Sequence, residues 1–366
     1  MTPSIPTVLD PVQLGRLSLR NRVVMAPMTR ARVANAGGVP GEMNALYYAQ
    51  RASAGLIVSE GTWPSREAIG ATSVPGLYTA EQAAGWQTVT SAVHAAGGRI
   101  FSQLGHTGAA SHPDHLDGQL PLAPSAINPG LVSFTRNGPM PTVTPRAMTA
   151  DDIARTIADY AKAARLARQA GFDGVELHGT VSYLLPQFLS SALNQRDDEY
   201  GGNPANRARF PLAVLKAIIA ECGAGQVAMR LSPGITMGNL ALNDQTLPTY
   251  EYLVKELVKL NLAYLHLQHP TTDLSNTPVA ALSDGTAAYF RQFYPGTLIA
   301  NGGFTYNSAN AAIASGVADL VSFGAPYLAN PDLVERFASK VALAECSPEL
   351  YYMGGAKGYT DFPRAT

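Results

Sequence analysis

Short apolar runs recur along the 366-residue chain, and each ends at a glycine, a proline or a polar residue. These runs lack strict alternation of apolar and polar positions, as is typical of parallel strands that are buried on both faces. The pattern therefore predicts eight buried parallel strands, namely RVVMAP (22–27), GLIVSEG (55–61), RIFSQLG (99–105), GVELHG (174–179), QVAMRLSP (226–233), LAYLHLQ (262–268), GTLIANGG (296–303) and DLVSFG (319–324).

Helical patterns lie between these runs, and the clearest extends from Thr149 to Gly171. Thr149 is the expected N-cap, acidic residues follow in the first turn, and Gly171 is the expected stop. Eight strand–helix units without a flexible linker predict an α/β fold, a single-domain (β/α)8 TIM barrel over residues 1–366, rather than a doubly wound sheet. The expected buried stripe of the clearest helix is Ile153, Ile157, Ala161 and Ala164.

One connection is too long for a simple strand-to-helix turn. Residues 106–148, after the third strand, carry seven prolines and few helix signals. A long connection of this kind in a compact domain is usually functional. We therefore expect a capping insertion over the barrel mouth. We also expect the aromatic, glycine-rich segment 351–363 to fold back onto the barrel.

The charge balance and the cysteines exclude several classes of protein. Lys and Arg number 26 and Asp and Glu number 27, so no net field draws the chain to nucleic acid or to an anionic membrane. No apolar run approaches the roughly 20 residues of a membrane span, and the N-terminus lacks the pattern of a signal peptide. Cys222 and Cys346 form no CxxC motif, which favours a reducing compartment. These features predict a cytoplasmic protein.

In TIM barrels the chemistry gathers at the C-terminal ends of the strands. Glycine turns follow the seventh and eighth strands, where backbone N–H groups often bind phosphate, although tight turns alone would also require glycine. His178 ends the fourth strand and Tyr183 follows five residues later. They are candidates for an anion-binding donor and a proton donor, or else a core histidine and a packed tyrosine at a helix start.

Two buried polar residues leave alternatives open. Arg230 lies inside an apolar strand, where an unpaired charge is costly. It is expected to pair either with a carboxylate such as Glu60 or with an anionic ligand. Gln103 offers a donor and an acceptor, either to the edge of a heterocycle or to its core neighbours. The HxxH spacing of His112 and His115 is too weak to predict a metal site.

Several longer blocks, taken in order, resemble the old yellow enzyme family of FMN-dependent ene-reductases. The resemblance implies FMN at the barrel mouth, reduced by NADH or NADPH, in a monomer or homodimer that acts on a small molecule. It also implies that FMN passes hydride to the β-carbon of an α,β-unsaturated carbonyl compound while a tyrosine protonates the α-carbon. The blocks are NRVVMAPMTR, YYAQRASAGLIVSEGT, NQRDDEYGGNPANRARF, ANGGFT, YLANPDL and GGAKGYTDFP, which extend over nearly the whole chain.

The resemblance also implies roles for individual residues. His178 would be one of two donors to the substrate carbonyl oxygen, and Tyr183 would be the proton donor. Arg230 would lie near the electron-poor edge of FMN. The residues expected beside the FMN ring are Pro27, Thr29, Gly61 and Gln103, those expected at its phosphate are Asn301, Gly302, Gly303, Gly324 and Ala325, and those expected at the substrate are His178, Val181, Gly105 and Tyr352.

The chain departs from the family's pattern at this expected site. The second carbonyl donor, three residues after His178, is Val181, and losing one such donor typically costs on the order of 100- to 1000-fold in rate. A common tryptophan is replaced by Gly105, a common arginine by Ala109, and the phosphate arginine by Ala325. Loss of that last arginine removes roughly 1.5–3 kcal/mol, or about 10- to 150-fold in FMN affinity.

Two functions therefore stay open on the sequence. Retention of Thr29, Gln103 and Arg230 favours an active ene-reductase of altered substrate scope. Val181 and Ala325 favour a fold recruited for a non-redox isomerase, cyclase or binding role, with FMN weakened or absent. In that second function the histidine and the tyrosine would act as acid and base.

Overall fold

The computed structural model describes residues 5–365, and each of the eight predicted runs contains a strand. In chain order the strands are β1 (Val12–Leu14), β2 (Leu17–Leu19), β3 (Val23–Met25), β4 (Leu56–Thr62), β5 (Ile100–Leu104), β6 (Leu122–Ala123), β7 (Val132–Thr135), β8 (Gly138–Pro141), β9 (Arg146–Ala147), β10 (Gly174–Gly179), β11 (Val227–Leu231), β12 (Leu265–Gln268), β13 (Leu298–Asn301) and β14 (Leu320–Phe323). Strands β3 to β5 and β10 to β14 pair in parallel and close on themselves, with β14 beside β3. The predicted TIM barrel is confirmed.

Complete burial explains why the barrel strands do not alternate in sequence. Every residue of β3, β4, β5, β11 and β14 is buried, since helices cover the outer face and side chains fill the interior. Leu14 and Leu19 of the β1–β2 hairpin pack in one apolar cluster with Leu56 and Leu320, the first residues of β4 and β14. The hairpin therefore covers the N-terminal end of the barrel and leaves the C-terminal end uncovered by it.

The helices are α1 (Glu42–Gln50), α2 (Ala80–Ala95), α3 (Ala150–Gln169), α4 (Leu184–Leu189), α5 (Pro204–Cys222), α6 (Thr246–Val258), α7 (Thr286–Arg291), α8 (Tyr306–Ala314), α9 (Ala325–Ala329) and α10 (Leu333–Ser339). Thr149 caps α3 as predicted, because its hydroxyl accepts the Asp152 N–H at 3.2 Å. Ile153 and Ala164 are buried, whereas Ile157 and Ala161 are only half-buried. Within residues 5–365, no helix is both long enough and apolar enough to span a bilayer.

Residues 106–148 contain more regular structure than their prolines indicated. They form the antiparallel hairpin β7–β8 and the short parallel pair β6–β9. Arg196, from the loop before α5, donates through Nη1 to the carbonyl oxygens of Pro124 at 2.9 Å and Met148 at 2.7 Å. One guanidinium thus ties this segment to the barrel at two points, while its role as a cap over the mouth stays a prediction.

The segment 351–363 folds back onto the barrel, as its composition predicted. Tyr359 is fully buried and stacks on Tyr47 of α1, with ring centroids 4.0 Å apart. Arg30 donates to the carbonyl oxygens of Tyr351 at 2.9 Å and Gly358 at 2.8 Å. Arg32 donates to the Tyr351 oxygen as well, at 3.1 Å. These bonds fix the C-terminal segment beside the barrel mouth.

Candidate active site

Ten of the predicted site residues line a cavity of about 470 Å³ at the C-terminal ends of the barrel strands. They are Pro27, Thr29, His178, Val181, Tyr183, Arg230, Asn301, Gly324, Ala325 and Tyr352. Gly61, Gln103, Gly105, Gly302 and Gly303 do not line this cavity. Sequence reasoning missed Gln268 and Tyr351, which do line it. Gln268 could have been found, since it is the polar residue that ends the sixth predicted run.

His178 presents a neutral imidazole to the cavity. The Thr180 backbone N–H donates to Nδ1 of His178 at 3.3 Å, so the ring proton is assigned to Nε2. Burial, and then the nearby positive charge of Arg230, lower the pKa of His178 to about 3. The imidazole is therefore neutral at physiological pH and keeps one N–H donor on Nε2, which suits it to bind a carbonyl or anionic oxygen.

Tyr183 lies directly against this histidine. It is the residue before α4, and its ring stacks on His178 with centroids 4.8 Å apart and planes 22° apart. Trp63 lies beyond the tyrosine, with ring centroids 6.4 Å apart. Burial raises the pKa of Tyr183 to about 12. The phenol therefore stays protonated at neutral pH and has the protonation state of a general acid.

Val181, on the same turn, has a backbone conformation that valine rarely adopts. Its φ is +53°, in the left-handed region that a β-branched residue enters only with strain. Its N–H donates to Ser232 Oγ at 3.2 Å, which holds the turn in place. Its side chain lines the cavity and offers no donor. Asparagine, in contrast, is enriched at positive φ and would add an amide donor.

Arg230 does not pair with Glu60, so that part of the sequence interpretation is wrong. Glu60 accepts the backbone N–H groups of Arg30 at 3.2 Å and Ala31 at 3.4 Å instead, and burial raises its pKa to about 7. The guanidinium of Arg230 donates through Nη2 to Gln268 at 3.0 Å and to Asn301 at 2.9 Å. Its Nε is buried and finds no acceptor among residues 5–365. The guanidinium as a whole lines the cavity, where a ligand with an acceptor or a negative charge would suit it.

Gly61, Gln103 and Gly105 lie immediately behind the cavity wall. Gln103 is buried and donates through Nε2 to Glu176 at 2.7 Å, while its Oε1 lies 3.6 Å from the point a Cβ on Gly61 would occupy. A Cβ on Gly105 would lie 3.3 Å from the Cβ of His178. A larger residue at 105 would therefore displace the histidine unless the strand end shifted. One end of the Gln103 amide is thus satisfied inside the core, while its contact with the edge of a heterocycle stays a prediction.

The two glycines of the turn after β13 differ in what requires glycine. Gly302 has a φ of +131°, and a Cβ there would come within 2.6 Å of the His269 carbonyl oxygen. Close packing therefore accounts for Gly302. Gly303 has a φ of +67°, and no heavy atom lies within 4 Å of a Cβ position there. After β14, Ala325 follows Gly324, is exposed and supplies no charge for a phosphate.

Comparison with known proteins supports one family. The model of the NADH:flavin oxidoreductase / NADH oxidase family matches residues 7–344. 12-oxophytodienoate reductase 7 of Oryza sativa subsp. japonica is 39% identical over 375 residues, which cover 97% of this chain and 94% of that protein. A probable flavin mononucleotide-dependent alkene reductase of Leishmania infantum is 38% identical, with 98% of both chains covered.

Among solved structures, morphinone reductase in complex with tetrahydroNAD is 43% identical, with a TM-score of 0.92 and coverage of 99% of this chain and 98% of that chain. Fold and matches together define a flavin oxidoreductase built on a TIM barrel. The chain belongs to the NADH:flavin oxidoreductase family, also called the old yellow enzyme family.

Proposed function

We propose that the protein is an ene-reductase that binds FMN, takes reducing equivalents from NADH or NADPH and reduces the activated C=C bond of an α,β-unsaturated carbonyl compound. One observation carries the proposal: a neutral His178 and a protonated Tyr183 stack at 4.8 Å on one wall of the cavity. A carbonyl donor and an acid at adjacent positions match the needs of conjugate reduction. FMN would supply the hydride when bound.

The residues present fit the ring system of FMN. Arg230 lines the cavity beside Asn301, and its buried Nε has no protein acceptor among residues 5–365. Thr29 and Pro27 line the cavity from the end of β3. The phosphate end fits less completely, because Gly303 leaves room for a close approach whereas Ala325 offers no cation. We therefore expect FMN to bind with reduced affinity rather than not at all.

His178 and Tyr183 have separate roles in the proposed reaction. Nε2–H of His178 donates to the substrate carbonyl oxygen and stabilises the negative charge that grows there. The phenol of Tyr183 delivers its proton to the α-carbon. Since Val181 supplies no second side-chain donor, the substrate oxygen depends on His178 more heavily than in a site with two donors. Tyr351 and Tyr352, from the C-terminal segment, line another part of the cavity wall.

A non-redox isomerase or cyclase is the second candidate, and Val181 and Ala325 favour it. Both candidates need His178 and Tyr183, but only the ene-reductase needs FMN. The decisive experiment titrates purified protein with FMN, follows flavin fluorescence and the melting temperature, and then adds NADH or NADPH under anaerobic conditions. We expect quenched fluorescence, a higher melting temperature and a bleached flavin that an enone reoxidises. A protein that neither quenches FMN nor melts at a higher temperature would refute the ene-reductase.

Replacing Ala325 by Arg is expected to strengthen FMN binding by roughly 10- to 150-fold, because a charge-assisted bond to phosphate contributes about 1.5–3 kcal/mol. The position is exposed, so the longer side chain has space. Fluorescence titration gives the Kd, and Ala325→Met is the matched control, with a long side chain but no charge. Equal affinities of the Arg and Met variants would contradict the proposed phosphate site.

A further inference from the structure

Below the cavity, polar side chains from four barrel strands form a fully buried hydrogen-bonded cluster centred on Glu176. Glu176 Oε2 lies 2.8 Å from His266 Nδ1, and Glu176 Oε1 accepts from Gln103 Nε2 at 2.7 Å. His266 Nε2 lies 2.8 Å from Ser322 Oγ. None of these four side chains belongs to a residue more than 2% exposed. We call this group the Glu176 cluster.

The protonation states within the Glu176 cluster follow from its contacts. Burial lowers the pKa of His266, so the ring is neutral, with its Nδ1–H donating to Glu176 and the Ser322 hydroxyl donating to Nε2. Burial by itself would raise the pKa of Glu176, but the hydrogen bonds from His266 and Gln103 and the positive charge of Arg230 hold that pKa below its usual value. Glu176 is therefore a buried carboxylate that only accepts hydrogen bonds.

An ionised Glu176 fixes which way the Gln103 amide faces. The side-chain NH2 group must point at the carboxylate, because the amide oxygen would meet negative charge there. Gln103 Oε1 is then turned toward Gly61, whose missing Cβ would lie 3.6 Å from that oxygen and 3.9 Å from the His178 ring. No group among residues 5–365 donates to this oxygen. The amide thus keeps an unused acceptor beside Gly61 and the His178 ring, which would suit a ring N–H that approached over Gly61.

We propose that Glu176 is a positioning residue for the flavin. It holds Gln103 in the acceptor orientation that matches the imide N–H edge of the FMN ring, and it places one fixed negative charge beneath that ring. The inference rests on the proposed function, since it concerns how this chain would hold FMN. A fixed negative charge disfavours the reduced, more negative form of FMN, so Glu176 lowers the midpoint potential as well as orienting the amide.

Two substitutions separate orientation from charge. Glu176→Gln removes the charge and lets Gln103 turn, so we expect FMN affinity to fall at least tenfold. We also expect the ratio of affinities for reduced and oxidised FMN to rise about tenfold, which is about 30 mV for this two-electron couple. Glu176→Asp keeps the charge but withdraws it from Gln103. It should weaken FMN binding and leave the midpoint potential at the wild-type value.

A double variant tests whether Glu176 acts through Gln103. In a Gln103→Leu background the acceptor is gone, so Glu176→Gln should no longer weaken FMN binding, while the potential should still rise. Circular dichroism and thermal unfolding of each FMN-free variant establish that it is folded. If Glu176 had a purely structural role, Glu176→Gln would lower the free energy of unfolding. It would leave the midpoint potential unchanged, and its effect on FMN affinity would be the same with and without Gln103.

Failure of the proposed function and failure of this inference give different experimental results. Wild-type protein that does not bind FMN refutes the proposed function, and the inference falls with it. Wild-type protein that binds FMN, together with a folded Glu176→Gln variant of unchanged Kd and potential, overturns the inference alone. If Glu176→Gln does not fold, Glu176→Asp decides: weaker binding at unchanged potential supports the positioning role, and unchanged binding overturns it.

Discussion

Tyr183→Phe is expected to slow reduction of an enone by roughly 100- to 10,000-fold and to leave reduction of the flavin by NADH or NADPH nearly unchanged. The substitution removes only the phenolic proton, since the ring that stacks on His178 at 4.8 Å is retained. Rapid-mixing measurements of the two half-reactions separate the effects. A purely packing role of Tyr183 would leave both half-reactions at the wild-type rate.

Tyr352→Phe is the matched control, because Tyr352 lines the same cavity but is 60% exposed. It should reduce enones at close to the wild-type rate. The pH profile adds a second check. Since burial raises the pKa of Tyr183 to about 12, the acid stays protonated from roughly pH 6 to 9. The enone half-reaction should therefore be flat over that range, and a decline centred near pH 7 would assign the proton to another group.

Val181→Asn is expected to accelerate enone reduction by up to roughly 100-fold, because it restores a second donor to the substrate oxygen. The same change should raise the free energy of unfolding by roughly 1 kcal/mol, since asparagine tolerates the φ of +53° that strains valine. Steady-state kinetics and denaturant unfolding measure the two effects. Both follow from one position, yet they have separate physical causes.

Val181→Gly separates these causes, because glycine relieves the backbone strain and adds no donor. It should leave the rate near the wild-type value. An asparagine variant no faster than the glycine variant would mean that the substrate oxygen does not lie within reach of position 181. That result would favour the second candidate function, in which the carbonyl geometry of an ene-reductase is not used.

The partners of the buried polar residues could be predicted only in part from the sequence. The sequence pattern predicted that Arg230 lies in a buried strand and needs a partner, and it suggested Glu60 as one candidate. Glu60 lies on β4 and instead accepts the backbone N–H groups of residues 30 and 31. The actual partners are Gln268 and Asn301, 38 and 71 residues away. Such pairs depend on how parallel strands align, which no local pattern encodes.

The conformation of Val181 was also beyond sequence reasoning. The residue was recognised as lacking a donor, but its positive φ arises from a turn held by Ser232, 51 residues away. The parallel register of β10 and β11 places His178 beside Arg230, and this register likewise brings both residues to the same cavity. Stacking of Tyr183 on the histidine follows from the turn between β10 and α4.

The sequence by itself determined the eight strands, the N-cap of α3, the return of the C-terminal segment and most of the strand-end residues that line the cavity. The strands and the N-cap depend on hydrophobic periodicity and capping, which act over a few residues, and the return of the C-terminal segment follows from its aromatic, glycine-rich composition. Only the tertiary structure decided the neutral state of the buried His178 near Arg230, the partners of Arg230 and the buried carboxylate of Glu176, whose contact with His266 spans 90 residues. Protonation and hydrogen bonding depend on burial and on neighbours distant in the chain, and folding alone brings these together.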